Sequence, residues 1–120
     1  MLQNTLLKIE HNMSSLKLQP PEKRKLVEIL SYYQKNSYLY PGTIQRHTGA
    51  SLDESYIFLK ELEKIGILEK AYEVICPNCN GTLDIYDSLN EIPDSIICNN
   101  CDHEFHPFNY ALVIFKVINE

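Results

Sequence analysis

Cys76-Pro77-Asn78-Cys79 and, eighteen residues further on, Cys98-Asn99-Asn100-Cys101 contain all four cysteines of the chain. Two residues between sulfurs let one tight turn present both to a single ion, and two such turns complete a tetrahedral shell. The spacing between the pairs falls in the range of structural zinc sites. Cys76, Cys79, Cys98 and Cys101 are therefore the expected ligands of a structural Zn²⁺.

The competing reading is two disulfides, which would suit a small secreted protein. Residues Met1 to Lys8 carry no continuous apolar stretch before a small-residue cleavage site. The longest apolar run, Tyr110 to Phe115, is far short of the ~20 residues that cross a bilayer. The expectation is a cytoplasmic chain without a membrane segment, in which reduced Cys-x-x-Cys turns favour metal. Disulfide or redox use, or an iron site, are the alternatives.

Catalytic zinc keeps an open coordination position, and four cysteines leave none. His103 and His106 lie close by in sequence, so a shell in which one of them replaces a cysteine is an alternative. The plainer reading makes His103 a surface residue of the turn. There is no His-Glu-x-x-His helix, no His-x-Glu deaminase signature and no phosphate loop, and His11 and His47 are scattered. No catalytic residue and no enzymatic activity are expected.

Asn80 and Asp102 each follow the second cysteine of a pair, where their side chains tolerate the left-handed backbone such turns need; Gly81 follows the first turn. The segments Cys76–Cys79 and Cys98–Phe105 resemble the zinc-ribbon family, and the resemblance implies two knuckles at the tips of β-hairpins.

Charge is unevenly divided. Residues 1–70 carry ten Lys/Arg and eight Asp/Glu, a net of +2. Residues 71–120 carry one Lys (Lys116) and eight Asp/Glu, a net of −7. Four metal-bound thiolates with one Zn²⁺ take that half to about −9, because ligand sulfurs must be deprotonated. Phosphate contacts from Lys and Arg dominate nucleic-acid affinity, so this half is a poor nucleic-acid grip. It is suited either to a basic or apolar protein surface or simply to solvent.

The N-terminal two-thirds reads as helical. After Pro20-Pro21 and the charged turn Glu22-Lys23-Arg24-Lys25, the residues Leu26, Val27, Ile29, Leu30 and Tyr33 share a face, and this helix is expected to end near Asn36-Ser37. A short helix over about Thr43–Thr48 closes at Gly49. Ser51 and Glu54 form a capping box that opens a third helix, with Leu52, Tyr56 or Ile57, Leu59, Leu62 and Ile65 as its apolar positions and Gly66 at its C-terminal end. Ile67 to Ile75 reads as a strand running into Cys76, and Tyr110 to Ile118 as its returning partner.

This order of elements, with Ile44 and Gly49 in the turn, Leu59 to Ile65, and Gly66-Ile67-Leu68, resembles the winged helix-turn-helix family over residues 22–75. The implied class is α+β: an N-terminal amphipathic helix (1–20), a winged helix of three helices plus β-wing (21–75), and a zinc ribbon with the returning wing strand (76–120). A winged helix followed by a four-cysteine ribbon is also similar to the N-terminal part of the general transcription factor E alpha subunits. A plain three-helix packing unit is the simpler reading of the same helices.

In DNA-binding winged helices the third helix enters the major groove. Here that would bring Asp53 and Glu54 against phosphates, while Lys60 and Lys64 are offset by Glu61 and Glu63. Lys23, Arg24, Lys25 and Arg46 are the candidate nucleic-acid contacts. Leu2, Leu6, Ile9, Met13 and Leu16 follow a seven-residue a/d pattern over two repeats, which serves either packing on the chain's own core or pairing with a second copy or a partner protein. The expected function is a non-enzymatic zinc-binding module that docks protein partners in a larger assembly related to transcription. The alternative is a dimeric DNA-binding regulator, paired through residues 1–18 or strand 110–118.

Overall fold

Ser51 opens the longest helix of the computed structural model, which describes residues 1–119. Its hydroxyl accepts the Glu54 N–H at 3.1 Å, and the Glu54 carboxylate accepts the Ser51 N–H at 3.0 Å. Two of the helix's orphan donors are thereby satisfied. The far end closes equally well. Gly66 takes φ +81°, its N–H reaches the Glu63 carbonyl at 3.0 Å, and the Ile67 N–H reaches the Leu62 carbonyl at 3.0 Å. That pair of bonds is a Schellman motif, sealed by buried Ile67.

The described residues form a mixed α+β structure with α1 (Gln3–Glu10), α2 (Pro20–Leu30), α3 (Pro41–Thr48) and α4 (Leu52–Lys64). The strands are β1 (Tyr38–Leu39), β2 (Leu68–Ile75), β3 (Thr82–Tyr86), β4 (Ile96–Ile97), β5 (Glu104–Phe105) and β6 (Ala111–Val117). Four strands form a sheet of order β1-β6-β2-β3, and β4 with β5 forms a separate pair. The expected strands 67–75 and 110–118 are therefore sheet neighbours. Two compact units emerge: Met1–Glu69 with the chain from Phe115 onward, and Lys70–Ile114.

The first unit is helical around an apolar core. On α4 the buried stripe is Ser55, Phe58, Leu59 and Leu62. The Ser55 hydroxyl donates to the Ser51 carbonyl at 2.9 Å, so its burial leaves no orphan. This face is rotated from the expected one: Leu52, Ile57 and Ile65 point to solvent. Phe58 is the reason, since burying that ring excludes more apolar area than either isoleucine offers. Leu26, Leu30, Leu39, Ile44 and Phe115 are buried in the same unit.

Two helix limits differ from the expectation. The N-terminal helix stops at Glu10, where Asn12 donates its side-chain amide to the Lys8 carbonyl at 2.7 Å. Such local bonding competes with the helix. The chain then folds back, burying Ile9, Met13 and Leu16 inside the unit while Leu2 stays exposed. Three of the five a/d positions are thus used within the chain itself. Helix α2 ends at Leu30, six residues before Asn36. Asn36 adopts φ 74° and donates its N–H to the Val117 carbonyl at 2.8 Å, and Val117 returns a bond to Ser37 at 2.9 Å. Pairing of Tyr38 with Lys116 and Leu39 with Phe115 overrides the helical spacing that Tyr33 continues.

The second unit is built on two hairpins. In the first, Tyr72 pairs with Tyr86, Glu73 with Ile85, Val74 with Asp84 and Ile75 with Thr82, which leaves Leu83 as a bulge. In the second, Ile96 pairs with Phe105 and Ile97 with Glu104. The buried cluster between them is Val74, Cys76, Ile92, Cys98 and Phe105, so two of its five members are cysteines.

Candidate metal centre

Each Cys-x-x-Cys turn is the tip of one hairpin, and the two tips have the same backbone. In the first, the Asn80 N–H reaches the Cys76 carbonyl at 2.8 Å, and the Cys76 N–H reaches the Gly81 carbonyl at 2.9 Å. In the second, the Asp102 N–H reaches the Cys98 carbonyl at 2.9 Å, and the Cys98 N–H reaches the His103 carbonyl at 2.9 Å. Asn80 (φ 62°) and Asp102 (φ 60°) supply the left-handed residue in each, as the sequence led us to expect. An Asn or Asp there bears the positive φ more readily than a branched residue would.

The four Sγ atoms lie within 4.8 Å of one another. Across the knuckles Cys76 and Cys101 are 3.6 Å apart, and Cys79 and Cys98 3.7 Å. A tetrahedral ion with sulfurs at ~2.3 Å has sulfur–sulfur edges of ~3.8 Å, so these separations fit a metal shell. All four are free thiols rather than disulfides.

Backbone and side-chain donors are aimed at the sulfurs. The Asn100 N–H reaches Cys98 Sγ at 3.4 Å. The Asn78 side-chain amide crosses from the first knuckle to Cys101, and with the His103 N–H it pulls that thiol down to about 6. Cys79 receives the matching N–H from Gly81, but hydrogen bonding with Cys98, Cys76 and Cys101 and partial desolvation together outweigh it and push this thiol up to about 11. Four thiolates at these separations would repel one another, so the cluster does not ionise fully without a cation. A bound cation supplies the missing charge and deprotonates coordinating thiols outright.

Gly81 has a second role. A Cβ there would come within 3.2 Å of the Asn100 side-chain amide and 3.5 Å of Cys79 Sγ. Asn78 and Asn100, each third in its Cys-x-x-Cys turn, brace one knuckle against the other. Sequence reading passed over this pair, although the repeated asparagine at one position was a visible signal.

The histidines stand outside the cluster. His106 Nδ1 pairs with the Asp94 carbonyl at 2.9 Å, and the exposed His103 ring stacks on Phe105 with centroids 6.0 Å apart. Among the described residues the potential metal-holding group comprises the four cysteines alone. The basic candidates lie in the other unit. Arg24 and Lys25 are exposed and Lys23 half-buried in the first turns of α2, and exposed Arg46, in the last turn of α3, donates to Thr43 Oγ1 at 3.3 Å. Among the described residues no helix is long and apolar enough to cross a membrane. Comparison with known proteins returns no match to a protein-family profile, to a curated protein or to a solved structure.

Proposed function

We propose that this chain is a non-enzymatic, zinc-organised module, a winged helix whose wing is extended by a zinc ribbon, and that it docks protein partners in a larger, transcription-related assembly. The observation that carries the reading is the convergence of four sulfurs at the tip of a unit rich in exposed carboxylates. A shell of four sulfurs has no coordination position left for a substrate, which favours a structural over a catalytic ion. Zinc suits it because tetrahedral thiolate sites select zinc or iron, and zinc needs no redox partner. The shell would be held by Cys76, Cys79, Cys98 and Cys101, and the ion would supply rigidity and charge.

Residues 70–114 carry one lysine, Lys70, and seven acidic residues. Six of these, Asp84, Asp87, Glu91, Asp94, Asp102 and Glu104, are exposed. Such a surface repels phosphate and complements basic protein. Under the winged-helix reading α3 and α4 form the helix-turn-helix, joined through Gly49 (φ 71°). Asp53 and Glu54 at the start of α4 then disfavour a DNA-reading role for that helix.

The test is binding of zinc-loaded protein to a pool of duplex DNA fragments at near-physiological salt, alongside elemental analysis. One zinc per chain and only weak, salt-erased DNA binding are expected. Nanomolar, sequence-selective DNA binding would instead establish the regulator reading, with Lys23, Arg24, Lys25 and Arg46 as its phosphate contacts.

A further inference from the structure

An open groove of about 400 Å³ runs along the first knuckle, lined by Ile75, Pro77, Asn80, Asn109, Tyr110 and Leu112 among others. Its volume lies within the ~300–1,000 Å³ usual for binding clefts. Beside it the chain exposes large apolar side chains in a row: Phe108 at 61%, Tyr110 at 43% and Leu112 at 51%. The continuous apolar run from Tyr110 to Phe115 buries Ile114 and Phe115 but leaves its first part uncovered. Tyr110 is held edge-on by Phe105, ring centroids 5.7 Å apart, and Phe105 in turn stacks on His103 of the second knuckle. One wall is therefore the first metal knuckle, and the other is braced by an aromatic chain from the second.

We propose that this groove receives a Lys/Arg-bearing segment of a protein partner, with an apolar side chain of that segment seated among Ile75, Pro77, Tyr110 and Leu112. The proposal rests on the docking reading above and names the surface and the partner's chemistry. Charge decides the occupant. The unit holding the groove carries a net −6 from its side chains, and about −8 with four thiolates and a divalent ion bound. A second copy docking through this same unit would bring like net charge and be repelled, and nucleic acid likewise. A basic segment with an apolar anchor gains both burial and complementarity, and the anchor in a desolvated pocket is where binding energy concentrates. Asn80 and Asn109 add amides able to pair with the guest's backbone.

The experiment selects a random peptide library on the zinc-loaded full chain and measures the enriched peptides by fluorescence anisotropy. Enriched sequences should carry Lys or Arg around an aromatic or aliphatic residue. Binding should weaken at least tenfold when the anchor becomes Ala, when the basic residues become Glu, or when Leu112→Asp is introduced; Phe108→Ala is a second, milder variant. Both positions are solvent-exposed, so both variants should keep the amide NMR spectrum of the folded chain. Acidic or uncharged enriched peptides, no enriched peptide at all, or dimerisation abolished by Leu112→Asp would overturn the proposal. Peptides indifferent to Leu112→Asp but lost with Ile57→Asp on α4 would overturn the groove while leaving the docking reading standing. Sequence-selective duplex DNA binding would instead overturn the docking reading itself.

Discussion

Stripping the metal should unfold one unit and spare the other. The buried cluster of the second unit has three non-cysteine members, Val74, Ile92 and Phe105, with Tyr72, Leu83, Tyr86, Ile96 and Ala111 half-buried against it. At about 1.5–3 kcal/mol each, the three buried side chains together contribute about 5–9 kcal/mol. A structural zinc shell contributes an apparent ~10–16 kcal/mol at neutral pH, more than all three. Removing the ion also leaves four crowded sulfurs with opposed proton affinities, of which Cys79 is pushed up and Cys101 down. The first unit has its own core in Phe58, Leu59, Leu62, Leu26, Leu30, Ile44 and Phe115, and none of these touches the argument for metal. The assay is amide hydrogen exchange on reduced protein before and after chelation, with zinc restored as a control. Protection should vanish across Lys70–Ile114, persist in α2 and α4, and return with zinc. Full protection of the second unit in metal-free, reduced protein would refute the reasoning, because its hydrocarbon core would then suffice alone.

Four further outcomes follow from the helical unit. Ser51→Ala removes the cap of α4 and should cost about 1 kcal/mol in chemical denaturation. The Glu54 carboxyl lies below its ordinary value of 4.5, chiefly through the Ser51 N–H. Its contribution is therefore complete above that value and lost as pH falls through the lowered one, and Glu54→Gln should flatten that part of the stability-against-pH curve. Gly66→Ala meets no atom closer than 3.9 Å, so its penalty should be the left-handed backbone alone, about 1–2 kcal/mol. Phe58→Ala should cost about 3–5 kcal/mol and lower the thermal midpoint; a loss under 1 kcal/mol would contradict its place at the centre of that core.

Several elements were readable from the chain alone because local chemistry determines them. Ser51 with Glu54, Gly49, Gly66, and the Asn80 and Asp102 that follow each cysteine pair all act over a few residues, so their spacing announces their geometry. The convergence of Cys76, Cys79, Cys98 and Cys101 was readable for a related reason: two identical turns of one chemistry have few other uses. Other matters were settled by what the rest of the chain brings alongside. The end of α2 depends on Asn36, Ser37 and Tyr38 meeting β6, residues far away in sequence. The buried face of α4 turns on Phe58, because helical spacing admits two overlapping stripes and only packing chooses between them. The a/d series of the first residues is interrupted after Glu10, and Ile9, Met13 and Leu16 are spent on the chain's own core. The reach of Asn78 to Cys101 and of Asn100 to Gly81 across the knuckles, and the exposure of Phe108 and Leu112, also emerge only once the hairpins are assembled. A short-range bond is encoded where it is made, whereas burial is a property of what the rest of the chain brings alongside.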